Sequence, residues 1–206
     1  MISDILPILA SRLFPEITSR GEPPGVYLTF DDGPHPRHTP GFLEVLARYG
    51  CRATFFLTGR QAARHPDIVR TIADAGHRLG SHGYDHSPMI WRREGVIREN
   101  LKRSIGAIAD ITGESPRLFR PPHGWFGRSL RSAAGDLDLK IVLWSLSPAD
   151  YVANPPTILE RRIVRRVRPG DIVLLHDGAK YADNMLKALP HVLDFLSNRG
   201  LHAATL

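Results

Sequence analysis

The sequence predicts an α/β fold, a distorted (β/α) barrel of about seven strands in a single domain. Three observations carry that expectation. Short apolar runs alternate with helical segments almost to the end of the chain. Runs such as Ile172-Val173-Leu174-Leu175 are apolar on consecutive residues, as parallel strands covered on both faces require. Acids, histidines and an arginine (Asp31, Asp32, His82, Arg120, Asp150 and His176) fall just past the ends of successive strands. Residues from so many strand ends meet at one point only if the sheet closes, because the outer strands of an open doubly wound sheet stand too far apart.

The elements follow in order. Val26–Phe30 reads as a strand, and 40–49 as a helix with Phe42, Leu43, Val45 and Leu46 on its apolar face and Gly50 as its stop. A strand over 53–57 precedes a helix over 67–75 that stops at Gly76. Residues 78–81 form a short strand. The longest helix spans 94–111, with Val96, Leu101, Ile105 and Ile108 on one face and Gly113 as its stop. Strands at 118–120, 140–144 and 172–176 alternate with helices at 129–134, 157–167 and 185–198, and 202–206 closes the chain as a strand. Residues 1–25 form an N-terminal extension with a short helix, and 26–206 form the main domain.

Composition narrows the function class. With 206 residues, 42% hydrophobic and 23% charged, the chain is an ordinary globular domain and not a disordered one. A net charge of +6 is compatible with nucleic acid, an anionic membrane or an acidic polymer as partner. The densest basic run, Arg161 to Arg168, has Ile158, Ile163, Val164 and Val167 on one helical side, so its arginines read as a solvated face. No stacking platform or recognition motif accompanies it, and no nucleic-acid partner is expected. The single cysteine, Cys51, forms no internal disulfide, is compatible with a reducing compartment, and reads as small and buried or half-buried. The apolar start, Met1 to Ala10, lacks a basic leader, carries Asp4, is broken by Pro7 and is too short to span a bilayer. A cytoplasmic location is the expectation, with peripheral membrane contact weak at most.

The chemistry-bearing residues form a set. His82 and His86, four apart, share one face of a turn and suit a common metal ion, with a carboxylate as third ligand. Two histidines and a carboxylate hold iron in oxygenases, and zinc or related metals in hydrolases. Of the adjacent acids Asp31 and Asp32, one can ligate while the other stays free as a base. Arg120, stiffened by Pro121 and Pro122, is suited to grip a carboxylate bidentately. The loop at His123-Gly124 offers backbone N–H groups to an oxyanion. His176, at the mouth of a barrel, suits a general acid, with Asp150 or Asp177 to orient it.

These motifs, Thr29–Pro34, Ser81–His86, Arg120–Gly124, Ser147–Tyr151 and Leu174–His176, resemble in order the five motifs of the polysaccharide deacetylase family, carbohydrate esterase family 4, also called the NodB homology domain. The resemblance runs from about Tyr27 to the C-terminus. It implies a (β/α) barrel that hydrolyses the acetamide of N-acetylglucosamine-type sugars with a divalent metal, zinc first and cobalt or nickel as alternatives. It implies Asp31 as base, Asp32, His82 and His86 as ligands, Arg120 holding Asp31, and Asp150 orienting the acid His176. Leu174 would line the pocket for the acetyl methyl. Three positions depart from the pattern. His123 replaces a tyrosine whose role is carried by its backbone N–H. Ser147 and Tyr151 replace Asp and Trp, and Tyr151 alters the wall of the sugar groove. The rival expectations are a deformylase or deacetylase of a lipid-linked amino sugar, and a non-catalytic carbohydrate-binding protein on the same fold.

Overall fold

The computed structural model describes residues 2–206, with side chains from residue 4 onward. Its centre is a parallel sheet. Strand β2 (Val26–Asp31) lies between β3 (Thr54–Leu57) and β7 (Ile172–His176). From β3 the sheet continues through β4 (Arg78–Ser81), β5 (Leu118–Phe119) and β6 (Lys140–Val142) to β1 (Ile17–Thr18). A last strand, β8 (Ala203–Ala204), pairs with the start of β2. The chain leaving β6 bends across to β7, where Ser145 and Leu146 donate to the Ile172 carbonyl and Leu146 accepts from Leu174. An antiparallel bridge between Arg20 and Asp171 ties the segment after β1 to the foot of β7. The ring therefore closes through short bridges rather than a full ladder, which is the distortion expected of this barrel.

Both faces of the strands are buried. Val26, Leu28 and Phe30 of β2 and Val173 and Leu175 of β7 pack outward with helices α2 (Thr39–Arg48) and α8 (Ala182–Asn198). The alternate residues form an inner cluster of Phe56, Leu118, Val142 and Ile172 with Tyr27 and Trp144 packed against it. This double burial explains the uninterrupted apolar runs. Along β2 and β7 the inner positions change from Tyr27 and Ile172 through Thr29 and Leu174 to Asp31 and His176, so polarity rises toward the C-terminal mouth.

The helical expectations hold with shifts. Helix α5 (Glu94–Thr112) ends at Gly113, whose positive φ of 78° lets its N–H reach the Ala109 carbonyl. Its buried residues are Ile97, Leu101, Ser104 and Ile108, so Val96 is exposed and Ile97 takes its place on the core face. Helix α6 (Arg128–Gly135) stands where a helix was expected. Three elements were not expected: α3 (Gly59–Arg64), which abuts α4 (Pro66–Asp74), β1, and a one-turn 3₁₀ helix at Pro122–Gly124. The arginine run keeps its solvated face at Arg161, Arg165 and Arg168 and departs from that reading at Arg162 and Arg166. Helix α7 (Pro156–Val164) is followed by a turn, and Arg162 and Arg166 reach back to the carbonyls of Pro148 and Ser147 at 2.7 and 3.5 Å. The N-terminal segment contributes α1 (Ile2–Leu13), whose Asp4 accepts from the Ser147 N–H at 2.9 Å and pairs with Arg166. No helix among the described residues is long and apolar enough to cross a membrane.

Candidate metal centre and catalytic site

The site starts at the tip of β2. Asp31 is the last residue of the strand and is buried, while Asp32 lies one step beyond with a left-handed φ of 75°. That turn separates two chemically equal neighbours. Gly33 permits it, because a Cβ there would stand 2.3 Å from an Asp177 carboxylate oxygen. Of the five non-glycine residues with positive φ among those described, Asp32, His86, His123 and Ala149 belong to site loops, so backbone strain is concentrated at the barrel mouth.

Asp32, His82 and His86 converge, their ligating atoms all within 4.8 Å of one another. Asp32 Oδ1 lies 3.5 Å from His82 Nε2 and 3.2 Å from His86 Nε2. His82 Nδ1 donates to the Arg120 carbonyl at 2.8 Å, which fixes the tautomer and leaves Nε2 with a lone pair facing the cluster. Burial pushes the His82 pKa down to about 3, so the ring is neutral as a metal ligand must be. Asp32 Oδ1 is buried with no hydrogen-bond partner. A buried carboxylate oxygen left unpaired between two imidazole nitrogens is costly alone and satisfied by a cation. The three residues therefore fit a divalent metal.

Asp31 gives one oxygen, Oδ1, to Arg120, while its other, Oδ2, stays 3.7 Å from His82 Nε2 at the edge of that cluster. The guanidinium, fully buried, donates from Nη1 to Asp31 Oδ1 at 2.7 Å and to Thr29 Oγ1 at 2.8 Å. Nη2 and Nε go to the carbonyls of Leu143 and Val142, and the group lies 4.2 Å over the Phe56 ring. The expected bidentate grip is thus a single bond. The remaining donors are spent on the end of β6 and the residue after it, so the arginine is anchored by the barrel wall while it holds one oxygen of Asp31.

The loop after β6 brings the second pair. Asp150 Oδ1 meets His176 Nδ1 at 2.8 Å, and Asp150 Oδ2 accepts the His176 backbone N–H at 2.8 Å. Burial pulls the His176 pKa down, but Asp150's charge and hydrogen bond, with Asp31 and Asp32, overcome it and raise the value to about 9. Asp177, the other candidate, faces away and accepts from Thr39 Oγ1; burial and the nearby Asp32 raise its pKa to about 7. Asp150 is therefore the partner of His176. Tyr151 is exposed and stands edge-on to His176 at 5.5 Å.

Asp31, Asp32, His82, His86, His176 and Tyr151 line one cavity of about 860 Å³ together with Leu174 and His123, and Arg120 and Asp150 lie outside its lining. The His123 ring lies 4.6 Å from that of His86 and 5.2 Å from Trp125. Sequence reasoning missed Trp125 and the α1 residues Leu6, Leu9 and Leu13, which also line it. The signal for Trp125 was its place directly after the Arg120–Gly124 motif; nothing in the sequence pointed α1 toward the cavity.

Comparisons with known proteins agree with the geometry. Residues 18–142 match the family model described as polysaccharide deacetylase. The chain is 36% identical over 154 residues to a chitooligosaccharide deacetylase of Azorhizobium caulinodans, covering 74% of this chain and 73% of that one. Its fold resembles a family 4 carbohydrate esterase from Streptomyces lividans, solved with acetate, with a TM-score of 0.82, 33% identity, and coverage of 87% of this chain and 91% of that one. It also resembles a family 4 pseudoenzyme from Bacillus anthracis, with a TM-score of 0.85, 28% identity, and coverage of 92% and 67% respectively. The matching fold, the ordered motifs and the family match over more than half of the chain lead to one conclusion: this chain belongs to the polysaccharide deacetylase family.

Proposed function

We propose that this protein is a metal-dependent N-deacetylase that hydrolyses the acetamide of an N-acetylglucosamine-type sugar, releasing acetate and a free amine. The observation that carries the reading is the split of the two adjacent acids, with Asp32 facing two imidazoles and Asp31 facing Arg120. A base and a ligand are thereby kept apart at one strand tip. A family member with this fold can lack activity; the reading is supported here by the Asp32–His82–His86 cluster, the Arg120–Asp31 bond and the Asp150–His176 bond occurring together.

Asp32, His82 and His86 would hold the cation, zinc being the choice for a hydrolysis that needs no redox change. When bound there, the ion supplies an acidified water and positive charge beside the acetyl carbonyl. Asp31, aligned by Arg120, accepts the proton of the attacking water. The His123 backbone N–H faces the developing oxyanion. His176, kept protonated by Asp150, donates to the amine nitrogen, which otherwise leaves poorly. Leu174 walls the acetyl methyl, and Tyr151 takes the side of the sugar ring.

The test is acetate release from N-acetylglucosamine oligomers by wild type and by Asp31→Asn, with added zinc or cobalt and with chelator. Release that needs metal and is lost in the variant supports the reading. No release from any N-acetylated sugar by the metal-loaded wild type overturns it.

A further inference from the structure

The catalytic cavity has two unlike halves. Its floor carries Asp31, Asp32, His82, His86 and His176. Its far wall is α1, which presents Leu6, Leu9 and Leu13 to the same cavity while they remain 64%, 45% and 72% exposed. Trp125 and Phe126 line the same cavity, Phe126 edge-on to Phe14 just past α1, and the exposed Trp91 lies 6.4 Å from Trp125. From Leu6 to Leu13 the wall runs about 10 Å at helical rise.

The wall is ill suited to more sugar. Every lining residue α1 supplies is apolar, so a pyranose lying there would give up the hydration of its hydroxyls with no partner in exchange. It is also ill suited to a second copy of the chain, which would cap the cavity and bar substrate from His176. The leucines line a concavity continuous with the metal ligands, whereas a bilayer meets a projecting surface.

We infer that the substrate is a glycolipid: an amino sugar carrying a hydrocarbon chain, with its acetamide at the Asp32–His82–His86 cluster and its chain along the α1 wall. The inference rests on the deacetylase reading, and its test separates the two.

The test uses alkyl glycosides of N-acetylglucosamine, methyl to octyl, below their micelle concentrations. Binding is measured by calorimetry on metal-loaded Asp31→Asn, so that no turnover intervenes. The dissociation constant is expected to fall about two- to fourfold per added methylene, the larger figure being full burial. Leu9→Gln and Leu13→Gln, at exposed positions that tolerate a polar side chain, should flatten that dependence. A dissociation constant indifferent to chain length overturns the inference. So does equal binding to phosphatidylcholine vesicles free of amino sugar, which makes the wall a membrane contact, or a dimer in sedimentation that Leu13→Gln dissolves. Acetate release by wild type is read separately. Release without chain-length dependence keeps the deacetylase and overturns the glycolipid. Chain-dependent binding without release keeps the chain-binding wall and overturns the deacetylase.

Discussion

Asp31 and His176 face each other as register partners at the top of the parallel β2–β7 ladder. Neighbouring strands stand about 4.8 Å apart, so sheet register sets the proposed proton acceptor and the proposed proton donor side by side at the cavity. Each has its own anchor from another part of the barrel, Arg120 for Asp31 and Asp150 for His176. The pair needs no loop closure to be aligned.

As the proposed proton donor, His176 should set the alkaline limb of activity. Its pKa is raised from 6.5 to about 9, so the donor form persists through neutrality and is lost as pH rises past that value. Asp150→Asn removes the strongest upward influence and should move the limb of the kcat profile to lower pH, with kcat at neutrality down about a hundredfold. The same linkage affects stability. A folded pKa above the unfolded one stabilises fully below about pH 6.5 and fades as pH climbs through about 9. Urea midpoints of wild type should fall between pH 7 and 10 more than those of Asp150→Asn; parallel falls would rule out the ion pair as the cause.

Arg120 is structural and functional at once. Replacing it by Met leaves Asp31 buried without its cation and strands the carbonyls of Val142 and Leu143. The expected loss is about 3–5 kcal/mol of stability, read from urea unfolding, together with loss of acetate release. Arg120→Lys keeps charge but cannot span Thr29, Asp31 and Leu143, so it should recover part of the stability and little of the activity. Full activity in the lysine variant would contradict the anchoring role.

Much of this was legible from residue order, because strands buried on both faces announce themselves, as 172–176 does. Other parts were hidden for physical reasons. Asp31 and Asp32 are the same side chain one residue apart; only the pleat of β2 and the positive φ at Asp32 decide which faces Arg120 and which the histidines. Helix α3 buries only Gly59 and Ala62 and so shows no apolar period. Strand β1 is two residues long and gains its place by pairing with β6, some 120 residues away. Arg162 and Arg166 read as a solvated charge run because the carbonyls they hold lie on another segment.

Metal removal should report on the ligand set without any substrate. A cation bound only by the folded chain raises stability by about 4 kcal/mol at a thousandfold excess over its dissociation constant. Chelator should therefore lower Tm of wild type and leave Asp32→Ala unmoved. The variant also loses the unpartnered carboxylate oxygen. Its chelator-treated Tm should therefore equal or exceed that of chelator-treated wild type. A chelator response that survives in Asp32→Ala would assign the metal elsewhere.

Asp4 ties the N-terminal helix to the loop that carries Asp150. Its carboxylate accepts from the Ser147 N–H and pairs with Arg166, which also reaches the Ser147 carbonyl, at the start of the loop that ends in Asp150. Ser147 itself lacks a carboxylate, so the charge that meets Arg166 comes from α1. Asp4→Ala leaves the Arg166 guanidinium without that partner and the Ser147 N–H without its acceptor, a stability loss of about 1–3 kcal/mol. If Asp4 positions Asp150 by holding Ser147, the informative readout is the kcat profile. Its alkaline limb should move to lower pH as the Asp150–His176 contact loosens, with KM for a short N-acetylated oligomer changed less than kcat. Asp4→Glu should restore the limb more fully than Asp4→Asn, since only the former keeps the charge facing Arg166. A variant that lowers Tm but leaves the limb in place would make Asp4 a purely structural brace.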